Sequence, residues 1–214
     1  MFCSNCGTAA NGNFCAHCGI KFESAQITLP IAEALPADWS AEHRYETLLR
    51  YPEVRAQIER AAEQSRSWLS GEQFLKLAEK AFEPLMGVSF DTVTAIALPI
   101  SRRLGIQTGK TRSELLAASL GRTIVAALCS LARHGRKLTK VHQAEDGCVL
   151  EAVLPQDLRA LAGELLVTIR RSGNSTQVEA ATKIPGQMFD WGKSKQCLNQ
   201  LFSELSEVGM RKAG

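Results

Sequence analysis

The feature that most constrains this chain is a repeat in its first twenty residues. The segment Phe-Cys-Ser-Asn-Cys-Gly at residues 2–7 recurs as Phe-Cys-Ala-His-Cys-Gly at residues 14–19. Each copy carries one Cys-x-x-Cys pair, so the repeat supplies Cys3, Cys6, Cys15 and Cys18. Four thiolates in one short segment suit a tetrahedral zinc ion. We expect one structural zinc here, and its binding should supply most of the folding free energy because about twenty residues cannot bury a core.

A glycine follows each cysteine pair, at Gly7 and Gly19. Glycine takes positive φ angles readily, and a tight turn of this kind lets backbone N–H groups point toward the sulfur ligands. The sequence therefore predicts a positive φ at both glycines. His17 lies inside the second pair. Because four thiolates already complete the ligand set, we interpret His17 as an exposed bystander.

The doubled pattern resembles the zinc ribbons at the N-terminus of many bacterial proteins, and the resemblance covers Met1 to about Phe22. It implies a zinc-ribbon module at residues 1–22 and no particular activity. Two other readings are open but less favoured. A redox Cys-x-x-Cys would head a helix in a βαβ unit, and no such pattern surrounds either pair. A rubredoxin-type iron site resembles this motif but has a much longer insert than the eight residues between Cys6 and Cys15.

Length and cysteine usage set further limits. The 214 residues, of which 45% are hydrophobic, are enough for a core outside the metal module. Three further cysteines, Cys129, Cys148 and Cys197, are scattered and odd in number, which favours reduced thiols and a cytoplasmic location. We find no signal-peptide pattern. The longest apolar stretch is interrupted by Arg122, so no membrane span is expected.

The charges are unevenly distributed along the chain. Residues 23–100 hold 7 Lys and Arg against 12 Asp and Glu, whereas residues 101–214 hold 17 against 10. Clustered cations can follow phosphates, which makes nucleic-acid binding a hypothesis for the segment 102–140. Aromatic residues for base stacking are scarce there, at 6% overall. The candidate phosphate-contacting residues are Arg102, Arg103, Lys110, Arg112, Arg133, Arg136, Lys137 and Lys140.

Composition divides the rest of the chain into a linker and a mostly helical segment. Residues 23–39 carry two prolines and no sustained period, and are interpreted as a linker. Residues 40–112 are predicted to be mostly helical, with Pro52 opening one helix and a Ser70–Gln73 capping box opening another. The Gly-Lys-Thr at 109–111 is one residue short of a Walker P-loop, because Leu104 stands where the first glycine is required. We interpret it as a polar turn.

Residues 113–210 are predicted to be an α+β domain in the order helix, hairpin, hairpin, helix. Thr111–Glu114 has the form of a capping box for a helix reaching Arg133. Strand patterns flank the turns at Asp146-Gly147 and Gly173-Asn174, and an apolar stripe predicts a last helix after Trp191. No long crossover separates the strands, so the sheet should be antiparallel with helices on one face. The element order resembles that of helix-grip folds. This resemblance implies that binding an apolar small ligand between helix and sheet is one possible function.

No catalytic constellation is apparent, so we expect a non-enzymatic protein. The histidines are dispersed; His142 is interpreted as a solvated strand-edge residue, and Asp190 beside Trp191 as the start of the last helix. The leading hypothesis is a cytoplasmic zinc protein that acts as a protein-interaction or regulatory module. Nucleic-acid binding through the 102–140 surface is the alternative, and the apolar-ligand carrier is the third.

Overall fold

The structure is a computed structural model that describes residues 6–9, 17–19, 38–65, 70–83, 107–156, 161–185 and 192–210. The chain divides into two compact units, residues 1–34 and 35–214. The linker predicted at 23–39 falls outside the described residues except for Asp38 and Trp39. The near-P-loop at 104–111 lies partly outside them, as do Asp190 and Trp191.

Short helices open the larger unit. A 3-10 turn at Trp39–Ala41 is followed by α1 (Tyr45–Leu48), α2 (Pro52–Glu63) and α3 (Gly71–Lys80). Pro52 opens α2 as predicted, because a proline at the first helical position loses no intrahelical hydrogen bond. The predicted capping box is confirmed: Ser70 accepts from the backbone of Gln73, and the Gln73 side chain accepts from the backbone of Ser70.

Two longer helices and seven strands complete the described part of this unit. The helices are α4 (Leu120–Arg133) and α5 (Lys193–Met210). The strands are β1 (Phe82–Glu83), β2 (Gln107–Thr108), β3 (Thr111–Leu116), β4 (Lys137–Ala144), β5 (Gly147–Leu154), β6 (Gly163–Ser172) and β7 (Ser175–Pro185).

The strands form one sheet in the order β1-β4-β5-β6-β7, with β2 and β3 both paired to β7. All of these pairings are antiparallel except the short parallel contact of β1 with β4. Both predicted hairpins are confirmed. Glu145 and Asp146 connect β4 to β5, and Gly173, with a φ of 60°, begins the turn between β6 and β7. The α+β fold class is therefore correct.

The helix predicted from residue 113 is wrong over its first part, since residues 111–116 form β3 and α4 begins only at Leu120. The capping-box pattern misleads because Glu114 does not cap a helix. It pairs instead with Arg112, two residues away on the same face of the strand. Six consecutive residues of β3 are in register with β7, and these tertiary backbone bonds override the local helical pattern.

The helices and the sheet share one hydrophobic core. Helix α4 packs across β4, β5, β6 and β7; α5 packs on β3 and β7; and α2 packs against α3 and α4. The sequence separates residues 40–112 from 113–210, whereas in the structure buried residues of both ranges belong to the same cluster. The largest of the fully buried side chains are Tyr45, Phe74, Phe202, Leu48, Ile58, Leu75, Ile124 and Leu128.

Gln143 on β4 links the helical segment to the β4–β5 hairpin. Its Oε1 accepts from the backbone N–H of Tyr45 at 2.8 Å. Its Nε2 lies 3.3 Å from the carbonyl oxygen of His43, 2.8 Å from that of Ala144 and 2.9 Å from that of Gly147. One amide thus satisfies backbone groups from two distant parts of the chain.

Candidate functional site

The cysteine repeat is described at residues 6–9 and 17–19. Gly7 has a φ of 70° and Gly19 a φ of 71°, so the predicted positive φ is confirmed at both glycines. The two equivalent positions therefore share the left-handed conformation, in which a residue with a side chain is strained. The two halves of the repeat match in backbone conformation at these glycines as well as in sequence.

The side chains around these turns are compatible with metal ligation. Cys18 and His17 are exposed, and Cys6 is half-buried with its Sγ 3.4 Å from Oγ1 of Thr8. A hydroxyl beside a metal-bound thiolate can donate to it and orient it. Cys3 and Cys15 lie outside the described residues. Within the described ranges, no three His, Cys, Asp or Glu side chains form a group that could hold a metal ion. The donor chemistry of the four cysteines and the paired turns fit zinc.

The remaining cysteines lie in the larger unit as unpaired thiols. Cys148 is fully buried on β5, and burial raises the pKa of its thiol to about 12. Burial likewise raises the pKa of Cys129 to about 11 and raises that of Cys197. Thiols held in their protonated form are poor nucleophiles and poor metal ligands. These three cysteines therefore contribute to packing.

The structure places the predicted basic residues in several separate environments. Arg102 and Arg103 lie outside the described residues. Exposed Lys110 precedes β3 at one side of the sheet, whereas exposed Lys137 and Lys140 lie on β4, with β5, β6 and β7 in between. Adjacent strands are about 4.8 Å apart, so these two groups are separated by on the order of 20 Å. They do not form one continuous basic patch.

Two of the predicted basic residues are engaged with neighbouring side chains. Arg112 bonds to Glu114, donates to Oδ1 of Asn199 at 2.9 Å and lies 4.8 Å from the ring centre of Phe202. Arg133 donates to Oε1 of Gln64 at 2.9 Å and forms a salt bridge of 3.1 Å with Glu204. Both guanidinium groups thus have partners within the fold.

Arg136 is the most buried of the described basic residues, at 4% exposure. It donates to Oε1 of Gln200 at 3.0 Å, and burial lowers the pKa of its guanidinium. A group so enclosed is not positioned to meet a phosphate backbone. Gly135, with a φ of 60°, precedes Arg136 in the chain after α4, and the charge of Arg136 alone does not reveal its burial.

Two His–Glu pairs connect secondary-structure elements. Nε2 of His134 lies 2.8 Å from Oε1 of Glu204 and joins α4 to α5. Nε2 of His142 lies 3.0 Å from Oε1 of Glu151 and joins β4 to β5. His142 is only 6% exposed, so its interpretation as a solvated edge residue is wrong. The strand is flanked by β5 and β1 and does not form the edge there.

A groove between α2, α4 and α5 was not predicted. It has a volume of about 510 Å³, and its apolar lining residues are Trp39 and side chains of α2 and α4. Arg60 on α2 and Arg122 on α4 line it, and neither forms a salt bridge among the described residues. The sequence carries no signal for this groove, because its walls come from segments about sixty residues apart. The other lining residues are Gln57, Ala61, Gln64, Val125, Ala126, Cys129, Arg133, Glu204 and Glu207.

Comparison with known proteins does not assign the chain to a family. No protein-family model matches it, and no curated protein matches it significantly. No helix in the described ranges combines the length and hydrophobicity needed to cross a membrane.

Proposed function

We propose that this chain is a non-catalytic zinc protein whose larger unit binds another protein. Cys3, Cys6, Cys15 and Cys18 hold one structural ion, and residues 35–214 provide the binding surface. The observation that supports the metal site most directly is the matching left-handed conformation of Gly7 and Gly19. A duplicated Cys-x-x-Cys-Gly turn is the arrangement by which two chain segments present four thiolates to one ion. Bound zinc supplies folding free energy to a segment that lacks a core of its own.

Metal analysis tests the first half of this proposal. Purified protein should contain one zinc per chain by elemental mass spectrometry. Cys18→Ser should lose the metal, while His17→Ala should retain it, because His17 is not needed as a ligand. Gly19→Ala should weaken zinc binding, since a Cβ is strained at a φ of 71°. Iron in place of zinc, or full retention of the metal by Cys18→Ser, would reject the assignment.

The groove between α2, α4 and α5 is the proposed protein-binding surface. Its apolar lining residues can contact hydrophobic side chains, and Arg60 and Arg122 form no salt bridge among the described residues, although Arg122 attracts the carboxylate of Asp38. On α5, Glu207 is the lining carboxylate that is not paired with Arg133. A partner segment with apolar residues on one side and acidic residues toward α2 and α4 fits this distribution.

The two alternative functions receive less support from the described residues. For nucleic-acid binding, Lys110 is remote from Lys137 and Lys140, and Arg136 is buried. For an apolar-ligand carrier, the layer between α4, α5 and the sheet is occupied by buried side chains of the chain itself. These include Leu128, Leu131, Leu150, Val167, Leu201 and Phe202.

Affinity capture with matched double variants separates these functions. Three proteins would be compared before and after nuclease treatment: the unchanged chain, a groove variant with Arg60→Glu and Arg122→Glu, and a lysine variant with Lys137→Glu and Lys140→Glu. Loss of a protein partner only with the groove variant, insensitive to nuclease, is the expected result. A nuclease-sensitive partner lost with the lysine variant would favour nucleic-acid binding instead. A partner captured equally by all three proteins would exclude the groove.

A further inference from the structure

Strand β3 presents one side to β7 and leaves its other side unpaired among the described strands. Its side chains at Thr111, Ser113 and Leu115 are exposed, and Leu115 is the most exposed of the large hydrophobic residues described, at 59%. An unpaired strand edge is a template for adding another strand. The question is which strand fits it.

The pairing with β7 determines which groups of β3 face this open edge. The N–H of Thr182 donates to the carbonyl of Lys110 at 2.9 Å, which marks a hydrogen-bonded pair. Hydrogen-bonded pairs recur at every second residue of an antiparallel ladder. Arg112, Glu114 and Leu116 therefore bond to β7, while Thr111, Ser113 and Leu115 direct their N–H and C=O groups toward the open edge.

We propose that this edge binds the same edge of a second copy of the chain, antiparallel and centred on Ser113. An antiparallel two-fold partner must align outward-facing residues with outward-facing residues. Centring on Ser113 pairs all three outward-facing residues of the strand, whereas centring on Arg112 or Glu114 pairs only two of them. Ser113 then faces Ser113 of the second copy, and Thr111 faces Leu115 twice, which covers part of the exposed leucine.

The charges on β3 select this register over its neighbours. With Ser113 at the centre, Arg112 lies opposite Glu114 of the second copy, and this attractive pair occurs twice. The two neighbouring registers that also align outward-facing residues are centred on Arg112 and on Glu114. The first places Arg112 opposite Arg112, and the second places Glu114 opposite Glu114. Like charges directly opposed are destabilising. Only the Ser113-centred register joins opposite charges at every charged position.

The internal pairing of Arg112 leaves room for this contact. Its Nε and one terminal nitrogen both donate to Oε1 of Glu114. The second carboxylate oxygen of Glu114 can therefore receive a guanidinium from the second copy. Only five residues of each strand are paired in this register, which makes a small interface, so the dimer should be weak and should dissociate on dilution.

Charge exchange provides the decisive test. Sedimentation equilibrium of the full chain should show a monomer–dimer equilibrium. Arg112→Glu alone and Glu114→Arg alone should each fail to dimerise, because each creates two like-charge contacts. A mixture of the two variants should associate about tenfold or more tightly than either alone. In that mixed dimer the introduced glutamate opposes the introduced arginine, and the native Glu114 of one variant opposes the native Arg112 of the other. Circular dichroism would confirm that both variants are folded.

A cysteine pair gives an independent readout of the register. Directly opposed residues of a hydrogen-bonded pair have Cα atoms about 5.5 Å apart, within the range of a disulfide. Ser113→Cys should form a disulfide-linked dimer under mild oxidation. Thr111→Cys is the matched control, because Thr111 opposes Leu115 and not itself. A protein that stays monomeric throughout, an equal yield of linked dimer from both cysteine variants, or unchanged dimerisation of the charge variants would each overturn the proposal.

Discussion

The carboxylate of Glu204 offers a quantitative test of how α4 and α5 are joined. Burial alone would raise its pKa, but hydrogen bonds from His134 and Arg133 outweigh burial and lower the pKa of Glu204 to about 2. The perturbation is Glu204→Gln, which keeps the size of the side chain and one acceptor oxygen but removes the charge. Glu207→Gln on the same helix is the matched control, because that carboxylate is exposed and lacks a salt bridge among the described residues.

The magnitude follows from the change in pKa. A fall from the ordinary 4.5 to about 2 corresponds to at most about 3 kcal/mol of stability. Because 18% of the Glu204 side chain is exposed, solvent screening reduces this to about 2 kcal/mol. The folded pKa is the lower one, so the contribution is fully present above pH 4.5 and is lost as the pH falls toward 2.

Urea unfolding at a series of pH values measures this contribution. At neutral pH, Glu204→Gln should lower the free energy of unfolding by about 2 kcal/mol, while Glu207→Gln should change it by less than about 0.5 kcal/mol. The difference between the parent chain and Glu204→Gln should shrink as the pH is lowered from 4.5. A deficit that stays constant across that range would refute the electrostatic explanation and point to lost packing.

Three further predictions concern packing, a hydrogen bond and thiol reactivity. Gly121→Ala should destabilise the larger unit by about 1–3 kcal/mol in thermal unfolding, because a Cβ would overlap the carbonyl of Glu42 and lie 2.9 Å from that of Trp39; wild-type stability would contradict this close approach. Tyr45→Phe should cost about 1 kcal/mol in urea unfolding, since the buried hydroxyl donates to the carbonyl of Ala78 at 3.0 Å; an unchanged midpoint would show that bond to contribute nothing. Cys148 should resist a thiol reagent at pH 8 until the protein unfolds, because its pKa is about 12; labelling in the native state would contradict its burial.

Short-range signals in the sequence predicted much of the fold. Pro52, the Ser70 capping box and the turns at Asp146 and Gly173 act within a few residues, and each lies where the pattern indicates. Strand β3 was missed because its partner β7 lies about sixty residues away in the chain. A local reading of Thr111–Glu114 cannot weigh backbone bonds to so distant a segment.

The candidate sites were predictable only where the chemistry is local. The cysteine repeat is visible in the sequence because its ligands and its glycines are neighbours along the chain. The groove at Arg60 and Arg122 depends on how α2 packs against α4, and the charge of a helical arginine does not reveal what lies opposite. Arg136 and His142 have the polarity of surface residues, but the fold encloses both.

The parallel contact between β1 and β4 bears on what kind of assembly the sheet can build. Phe82 and Glu83 pair with Val141 and His142, and α3 packs against the same strand. The β4 side is thereby partly covered, in contrast to the β3 side. Fibre growth by strand addition requires two open sides on every molecule, one to bind and one to extend. The proposed dimer uses the same β3 edge on both copies, so that edge is no longer open once the dimer has formed, and the partial cover at β4 opposes further addition there.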